Sequence, residues 1–272
     1  MRKTKAKAAR TSRVLDSFAE YEGDKQFATT LARGLEILRC FTPETAVLGN
    51  KDLAALTNLP KPSISRFTYT LSRLGYLKAD HISSKYQLGP AVLALAHPLL
   101  ATITLRQIAR GPMKEFADYA NGSVSMGVRD RLNIVYIETS RSTSMYSRQL
   151  SDIGQSQPIM ATAIGRAYLA ACAPEDRKSI LNEIRIKTPE MWERHHKKVL
   201  QSVADFEKLG FCMSWGDLRR EVHAVGVPLR LMSTGDIVVF NCAMQSFLVK
   251  PAQIRNDIGP KLAAMVRGLA AL

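Results

Sequence analysis

Within the stretch LPKPSISRFTYTLSRLGYLK, residues 59–78, Ser63, Ser65, Arg66 and Tyr69 lie within two helical turns of one another. Serine hydroxyls both donate and accept hydrogen bonds, and a guanidinium fork matches O6 and N7 of guanine. A tyrosine ring can meet a thymine methyl while its hydroxyl reaches phosphate. This is the chemistry of reading DNA from the amino end of a helix laid in the major groove, where first-turn amides add phosphate contacts. Lys61 and Arg73 flank the set and suit phosphate better than base. The bland alternative is a surface helix on which Ser63 only caps and Arg66 is solvated.

Other chemistry-bearing residues point elsewhere or nowhere. The small residues of MATAIGRA let backbone approach a ligand closely, and the helix start beyond Pro158 presents free N–H groups suited to a carboxylate, although such residues also serve close helix packing. His195 and His196 are adjacent among Arg194, Lys197 and Lys198; neighbours on a helix diverge by about 100°, which disfavours a metal pair and predicts a solvated basic face. Cys172, Cys212 and Cys242 read as buried filler, as do the ten methionines. His223, Asp217 and a serine lack the G-x-S-x-G frame of a hydrolase. No cofactor or metal site is expected.

To present the first set of groups, the chain after Pro60 must be helical. Pro62 fits a first turn, where its missing N–H would have had no partner. Ile64, Phe67, Leu71 and Leu74 then make one apolar edge. Upstream, FATTLARGLEILRCF places Leu31, Leu35, Leu38 and Phe41 at helical spacing, with Thr29 or Thr30 positioned to cap. Asn50 can cap KDLAALTN, a short helix turning Leu53 and Leu56 inward and stopping near Asn58 and Pro60. Gly75 ends the third helix, and YLKADHISSKYQLG reads as two strands around a polar turn. Residues 27–89 thus form a winged helix-turn-helix. His81, Ser83, Ser84 and Lys85 in the wing turn can follow the DNA backbone or minor groove, and Arg33 at the opening of helix one can reach a phosphate.

Residues 90–103 read as a linker helix and LRQIARGPMKEFADYA beyond it also looks helical, with Pro98 and Pro112 as break or kink points. From residue 104 to 272 the texture is mixed. SVSMGVRDRLNIVYIETS is a strand pair, and MYSRQL a further strand. IMATAIGRAYLAACA is a helix, followed by helices near 175–185 and 189–209 and a stop at Gly210. VHAVGVPL and DIVVFNCAM are strands before a last helix from about 251. Without a βαβ repeat this is an α+β domain on an antiparallel sheet.

Composition sets the outer limits. The chain has 272 residues, 46% of them hydrophobic, and a net charge of +14, which favours a polyanionic partner. Residues 1–90 hold fifteen Lys/Arg against eight Asp/Glu, about twice the basic surplus per residue of the rest. Residues 1–26 read as a basic disordered tail able to add phosphate contacts; no apolar core follows the first thirteen residues, so no secretory signal is expected. GPAVLALAHPLLATITL is interrupted by His97 and Pro98, so no membrane span is expected. Four scattered cysteines fit a reducing cytoplasm.

The sequence LARGLEILRCF, PKPSISRFTYTLSRLGYL, YQLG, IGQSQPIMATAIGRAYLAA, KLGF and VGVPL, in that order, resembles the IclR-type family of bacterial transcription regulators from about Phe27 to the end. Gly154, Pro158, Ala161, Gly165, Arg166 and Ala167 are similar to its effector-domain signature, with arginine where lysine is more usual, as in the branch controlling aromatic-acid catabolism. The resemblance implies a winged helix-turn-helix, a linker helix and a GAF-like domain for effector binding and oligomerisation. It implies a homodimer or dimer of dimers on a palindromic double-stranded DNA operator, modulated by a small carboxylate effector. Carried over position by position, the effector pocket falls at Ala163, Ile164, Ser214, Val222, Ala224, Asn241 and Ala243. Ser214 and Ala224 replace a usual acid and cysteine, Asn241 and Ala243 replace strand hydroxyls, and Gly216, Asp217 and Glu221 replace an acidic pair and a glycine. The alternatives are a constitutive DNA-binding protein with no ligand and, last, an enzyme of the α+β domain.

Overall fold

The computed structural model describes Phe18, Tyr21 and residues 23–80, 82–144 and 152–270. The expected basic tail lies mostly outside the described residues, and His81 and the strand expected at MYSRQL lie wholly outside them. The chain divides into two compact units, one ending at Thr102 and one starting at Ile103.

In the first unit, α1 (Thr29–Arg39), β1 (Leu48–Gly49), α2 (Asn50–Thr57) and α3 (Lys61–Arg73) precede a wing, β2 (Leu77–Asp80) and β3 (Lys85–Leu88), and a further helix, α4 (Pro90–Thr102). The wing has three strands, because β1 pairs with the outer side of β3. Ile37, Phe41, Leu48, Leu53, Leu59, Ile64 and Leu77 make the core, each large aliphatic contributing roughly 1.5–3 kcal/mol over an exposed position. The expected α1 stripe is only half right: Leu31 and Leu35 are exposed, and Ile37, Leu38 and Phe41 face inward. The inward face is the one that packs with Leu53, Ile64 and Leu77 in the core; Gly34 also faces Phe67 of α3, but a Cβ there would make only an ordinary 3.8 Å contact. Neither Thr29 nor Thr30 caps α1, which starts from Ala28 without a side-chain cap.

Asn50 is the first residue of α2 rather than its cap. Its Oδ1 accepts from the Thr68 hydroxyl at 3.1 Å, fixing α2 against α3, while the Asp52 carboxylate accepts from the Gly49 N–H at 3.0 Å. Leu74 is exposed because α3 ends beneath it at Gly75, whose φ is +79°. The wing returns hard against that end: a Cβ on Gly89 would sit 2.1 Å from the Gly75 carbonyl oxygen.

The second unit runs α5 (Thr104–Ala120), β4 (Ser123–Asp130), β5 (Asn133–Arg141), β6 (Ser156–Pro158), α6 (Ala163–Ala171), α7 (Pro174–Lys187), α8 (Pro189–Leu209), β7 (Cys212–Trp215), β8 (Val222–Arg230), β9 (Ile237–Gln245), α9 (Pro251–Gln253), a π turn over Ile254–Ile258, and α10 (Gly259–Ala270). Its antiparallel sheet has the order β6-β5-β4-β9-β8-β7, as the α+β reading requires; β6 and β7 went unforeseen. Strand alternation divides the faces. Val124, Met126, Val225, Val227, Phe240 and Cys242 share a buried apolar face covered by α5 and α10. Ser123, Ser125, Ala224, Gly226, Asn241 and Ala243 share the other. There α6 comes so close that a Cβ on Gly226 would lie 2.3 Å from the Ala163 carbonyl oxygen. Among the described residues, no single helix is long and apolar enough to cross a membrane.

Candidate functional site

The outer face of α3 is polar and open. Ile64 and Thr68 point into the core with Phe67 and Leu71 beside them, while Lys61, Ser65, Arg66, Tyr69 and Arg73 are exposed and Ser63 is half-buried. Tyr69 is 65% exposed, with the Arg73 guanidinium 5.8 Å from its ring centroid, a spacing at which cation–π attraction stiffens both side chains. From Lys61 to Arg73 the helix rises about 18 Å, so these groups form a strip that can follow a groove. Thr70, also exposed, donates to the Arg66 carbonyl at 3.0 Å; sequence reasoning had not singled it out. Lys85 is exposed at the start of β3. Arg33 is half-buried on α1, its Nε without a hydrogen-bond partner.

In the second unit a cavity of about 80 Å³ opens between the polar sheet face, the start of α6 and the β7–β8 loop. That is several times what one water needs. Ala163, Ser214, Val222, Ala224, Asn241 and Ala243 line it. Ile164 does not: a helix turns 100° per residue, and Ile164 is fully buried beside Ile134, with its Cδ1 against Gly127. The walls also include Ser123, Tyr136, Gln157, Asp217 and Arg219, none of them foreseen as pocket residues. Thr162 caps α6, its hydroxyl accepting from the Gly165 N–H at 3.2 Å. The helix thus starts at the cavity edge rather than just beyond Pro158.

The electrostatics of the cavity are uneven. Burial pushes the Tyr136 hydroxyl up to about 12, partly offset by its hydrogen bond with Asn241 and the charge of Arg219, so it remains a neutral donor. Arg219 is half-buried in the β7–β8 loop, and no acidic side chain among the described residues pairs with it. Asp217 is engaged elsewhere. Its Oδ2 lies 2.8 Å from Arg166 Nη2, off the hydrogen-bond line, and its Oδ1 accepts from Lys198. Burial opposes ionisation of Asp217, but the Lys198 hydrogen bond and the Arg166 charge prevail and hold its carboxyl below the usual range. Arg166 also donates to the carbonyls of Met160 at 3.1 Å and Met213 at 3.0 Å. It therefore ties α6 to β7 and to the loop carrying Arg219.

His195 corrects an expectation. It is not part of a solvated face but 2% exposed, and burial first, then the charge of Arg166, depress its pKa. Arg194, Lys197 and Lys198 are the exposed members of that run, and His196 stacks on Trp192. His223 meets the edge of Trp215, while the Asp217 carboxylate is held by Arg166 and Lys198. Burial raises the thiols of Cys212 and Cys242 to about 12, far from a nucleophile's range.

A winged helix-turn-helix with an open polar third helix, joined to an α+β domain holding a cavity, is the make-up of a DNA-binding transcription regulator. The IclR helix-turn-helix domain model matches residues 30–81, and the model of the bacterial transcriptional regulator IclR C-terminal domain matches residues 97–266; the chain belongs to the IclR family. It is 35% identical over 243 residues to the HTH-type transcriptional regulator TsaQ1/TsaQ2 of Comamonas testosteroni, covering 89% of this chain and 87% of that one. The crystal structure of an IclR family transcriptional regulator from Brucella abortus is 42% identical, with a TM-score of 0.84 over 92% of this chain and 95% of that one. An IclR homologue from Microbacterium hydrocarbonoxydans complexed with 4-hydroxybenzoate shares the fold, at 19% identity and a TM-score of 0.66 over 89% and 99% of the two chains.

Proposed function

We propose that this regulator senses a small organic acid in the cavity of its second domain and changes its hold on DNA in response. The observation that carries the reading is Arg219, a half-buried cation on the cavity wall with no acidic partner among the described residues. A carboxylate completes it, with the first N–H groups of α6 beside it. The 4-hydroxybenzoate bound to the Microbacterium hydrocarbonoxydans homologue makes aromatic acids the first ligands to try. Ala163, Ser214, Val222, Ala224, Asn241 and Ala243 shape the site, and the chemistry is recognition without turnover.

On DNA, Ser65, Arg66 and Tyr69 face bases, with Ser63 beneath them, while Lys61, Arg73, Arg33 and Lys85 face phosphates. The protein acts in the cytoplasm as a homodimer or dimer of dimers on a pseudo-palindromic operator, half-sites one helical turn apart. The linker helix over residues 90–103 favours assembly: α4 buries none of its residues and leaves Leu93, Leu95 and Leu99 exposed, an apolar surface that a second copy would cover. Calorimetric titration of the full chain with small carboxylates tests the proposal. Binding by at least one acid, lost in Arg219→Ala, supports it; silence across a broad panel favours a constitutive DNA-binding protein.

A further inference from the structure

The tip of the wing carries an apolar side chain that the fold does not use. Ile82 is 97% exposed and takes no part in the core of its unit, while its neighbours Ser83, Ser84 and Lys85 are exposed and polar. A lone exposed isoleucine is ordinary; this one is held in place. The Asp80 carboxylate accepts from the Ile82 N–H at 3.0 Å and from the Ser83 hydroxyl at 2.5 Å, so the acid is spent on shaping the turn. Ser84 turns the chain back with φ +53°, and Asp80 pairs with Lys85 across the strands. Because β1 pairs with the outer side of β3, the arm beneath the tip is a three-stranded sheet and not a lone hairpin, which would be marginal in water.

The tip stands on the DNA side of the unit. A Cβ on Gly49 would lie 3.7 Å from Lys85 Cγ and 3.9 Å from the Ser84 carbonyl oxygen, so the turn sits beside the start of α2, and α2 is bonded to α3 through Asn50 and Thr68. In a helix-turn-helix the first of these helices crosses the phosphate backbone while the second lies in the major groove. Beyond that backbone is the minor groove, about 6 Å wide. Lys78 and Lys85, both exposed on the wing strands, supply cations for its phosphates. On the groove floor A·T and G·C pairs both carry acceptors, and only G·C adds the guanine amino group, which projects into the groove. Ile82 offers that donor no acceptor. Against a G·C pair the side chain meets the amino group and buries it unsatisfied; against an A·T pair nothing projects, and the hydrocarbon packs into the groove.

We propose that Ile82 enters the minor groove beside each half-site and excludes G·C pairs there, a specificity determinant separate from the major-groove readout by α3. This rests on the proposed reading of α3 for where the protein sits on DNA and adds a base preference that α3 does not supply. A G·C pair under Ile82 weakens binding about five- to tenfold, the low end of what one wrong base pair costs.

The test is in vitro selection by the full-length protein from a random-sequence duplex pool, followed by fluorescence anisotropy on the selected site with A·T, G·C or inosine·C at each position flanking the half-site. Inosine is guanine without the amino group, so inosine·C matches G·C in the major groove and A·T in the minor groove. Wild type selects A·T beside the half-site, binds the G·C version about five- to tenfold more weakly, and recovers with inosine·C. Ile82→Ala, which removes no core contact and leaves the thermal transition in place, brings the three sites within about twofold of one another. A selected half-site with no A·T preference beside it, an inosine·C site as weak as the G·C site, or an A·T preference that persists in Ile82→Ala overturns the proposal while leaving the α3 reading standing. A pool that yields no half-site overturns both.

Discussion

Asp217→Asn removes the charge that faces Arg166 across 2.8 Å while nearly preserving shape, and both side chains are almost wholly buried, at 2% and 3% exposed. Removing one partner of a buried ion pair costs about 3–5 kcal/mol, because the other charge stays in a poor solvent. Two features favour the low end. Arg166 keeps its bonds to the carbonyls of Met160 and Met213, and Lys198, 57% exposed, can turn to water. A cost of about 3 kcal/mol in a domain of this size lowers Tm by roughly 6–12 °C. Differential scanning calorimetry of wild type, Asp217→Asn, Arg166→Met and the double variant measures it. The double variant should be less destabilised than the sum of the singles by about 1–3 kcal/mol, since it leaves no stranded charge. An Asp217→Asn transition within about 2 °C of wild type, or strictly additive losses, would refute the claim that this pair ties α6 to the β7–β8 loop.

Arg66→Ala should weaken operator binding by about 1–3 kcal/mol and relax base preference at one position per half-site, as read by gel-shift titration against point-substituted sites; unchanged binding removes Arg66 from the reading face. Gly226→Ala should destabilise the second domain by about 1–3 kcal/mol in urea melts, because the new methyl would meet the Ala163 carbonyl oxygen at 2.3 Å and backbone cannot yield cheaply. Stability should fall on acidification from pH 7 to 5. Burial and Arg166 hold His195 below its ordinary 6.5, so the unfolded chain takes up that proton first; stability is full above 6.5 and is lost as pH falls through the lower folded pKa. The depressed Asp217 adds a second loss below its ordinary 3.8. Urea midpoints for His195→Gln should decline less steeply over pH 7 to 5, and parallel curves would place His195 outside the network.

The elements were legible where local chemistry sets them. Pro62, the step from Ile64 to Leu71 and the stop at Gly75 defined α3, and Gly210 closed α8 with φ +77°. Orientation was less legible. Leu31 and Leu35 are spaced as well as Ile37 and Phe41, and the choice of face came from packing with Leu53, Ile64 and Leu77 of the following elements, a tertiary fact. His195 looked solvated because three cations adjoin it, yet helix phase turns it toward Arg166. In the cavity, the strand positions carried over by family pattern share one sheet face, whereas Ser123 joins them through the register of β4 with β9 and Tyr136 through the register of β5 with β4. Alternation within β4 marks Ser123 and Ser125 as one face, but only register shows that Asn241 adjoins them. Arg219 sits in the run DLRRE, where nothing local distinguishes it from Arg220; the loop's fold turns the one to the cavity and leaves the other exposed.

The central claim is that filling the cavity changes the protein's grip on its operator. Fluorescence anisotropy of the full chain on labelled DNA from the region upstream of its own gene, with and without a saturating acid known from calorimetry to bind, measures that coupling directly. The account predicts a change in dissociation constant of about 5- to 150-fold, equivalent to roughly 1–3 kcal/mol, abolished in Arg219→Ala. Identical DNA affinity with the acid demonstrably bound would contradict it.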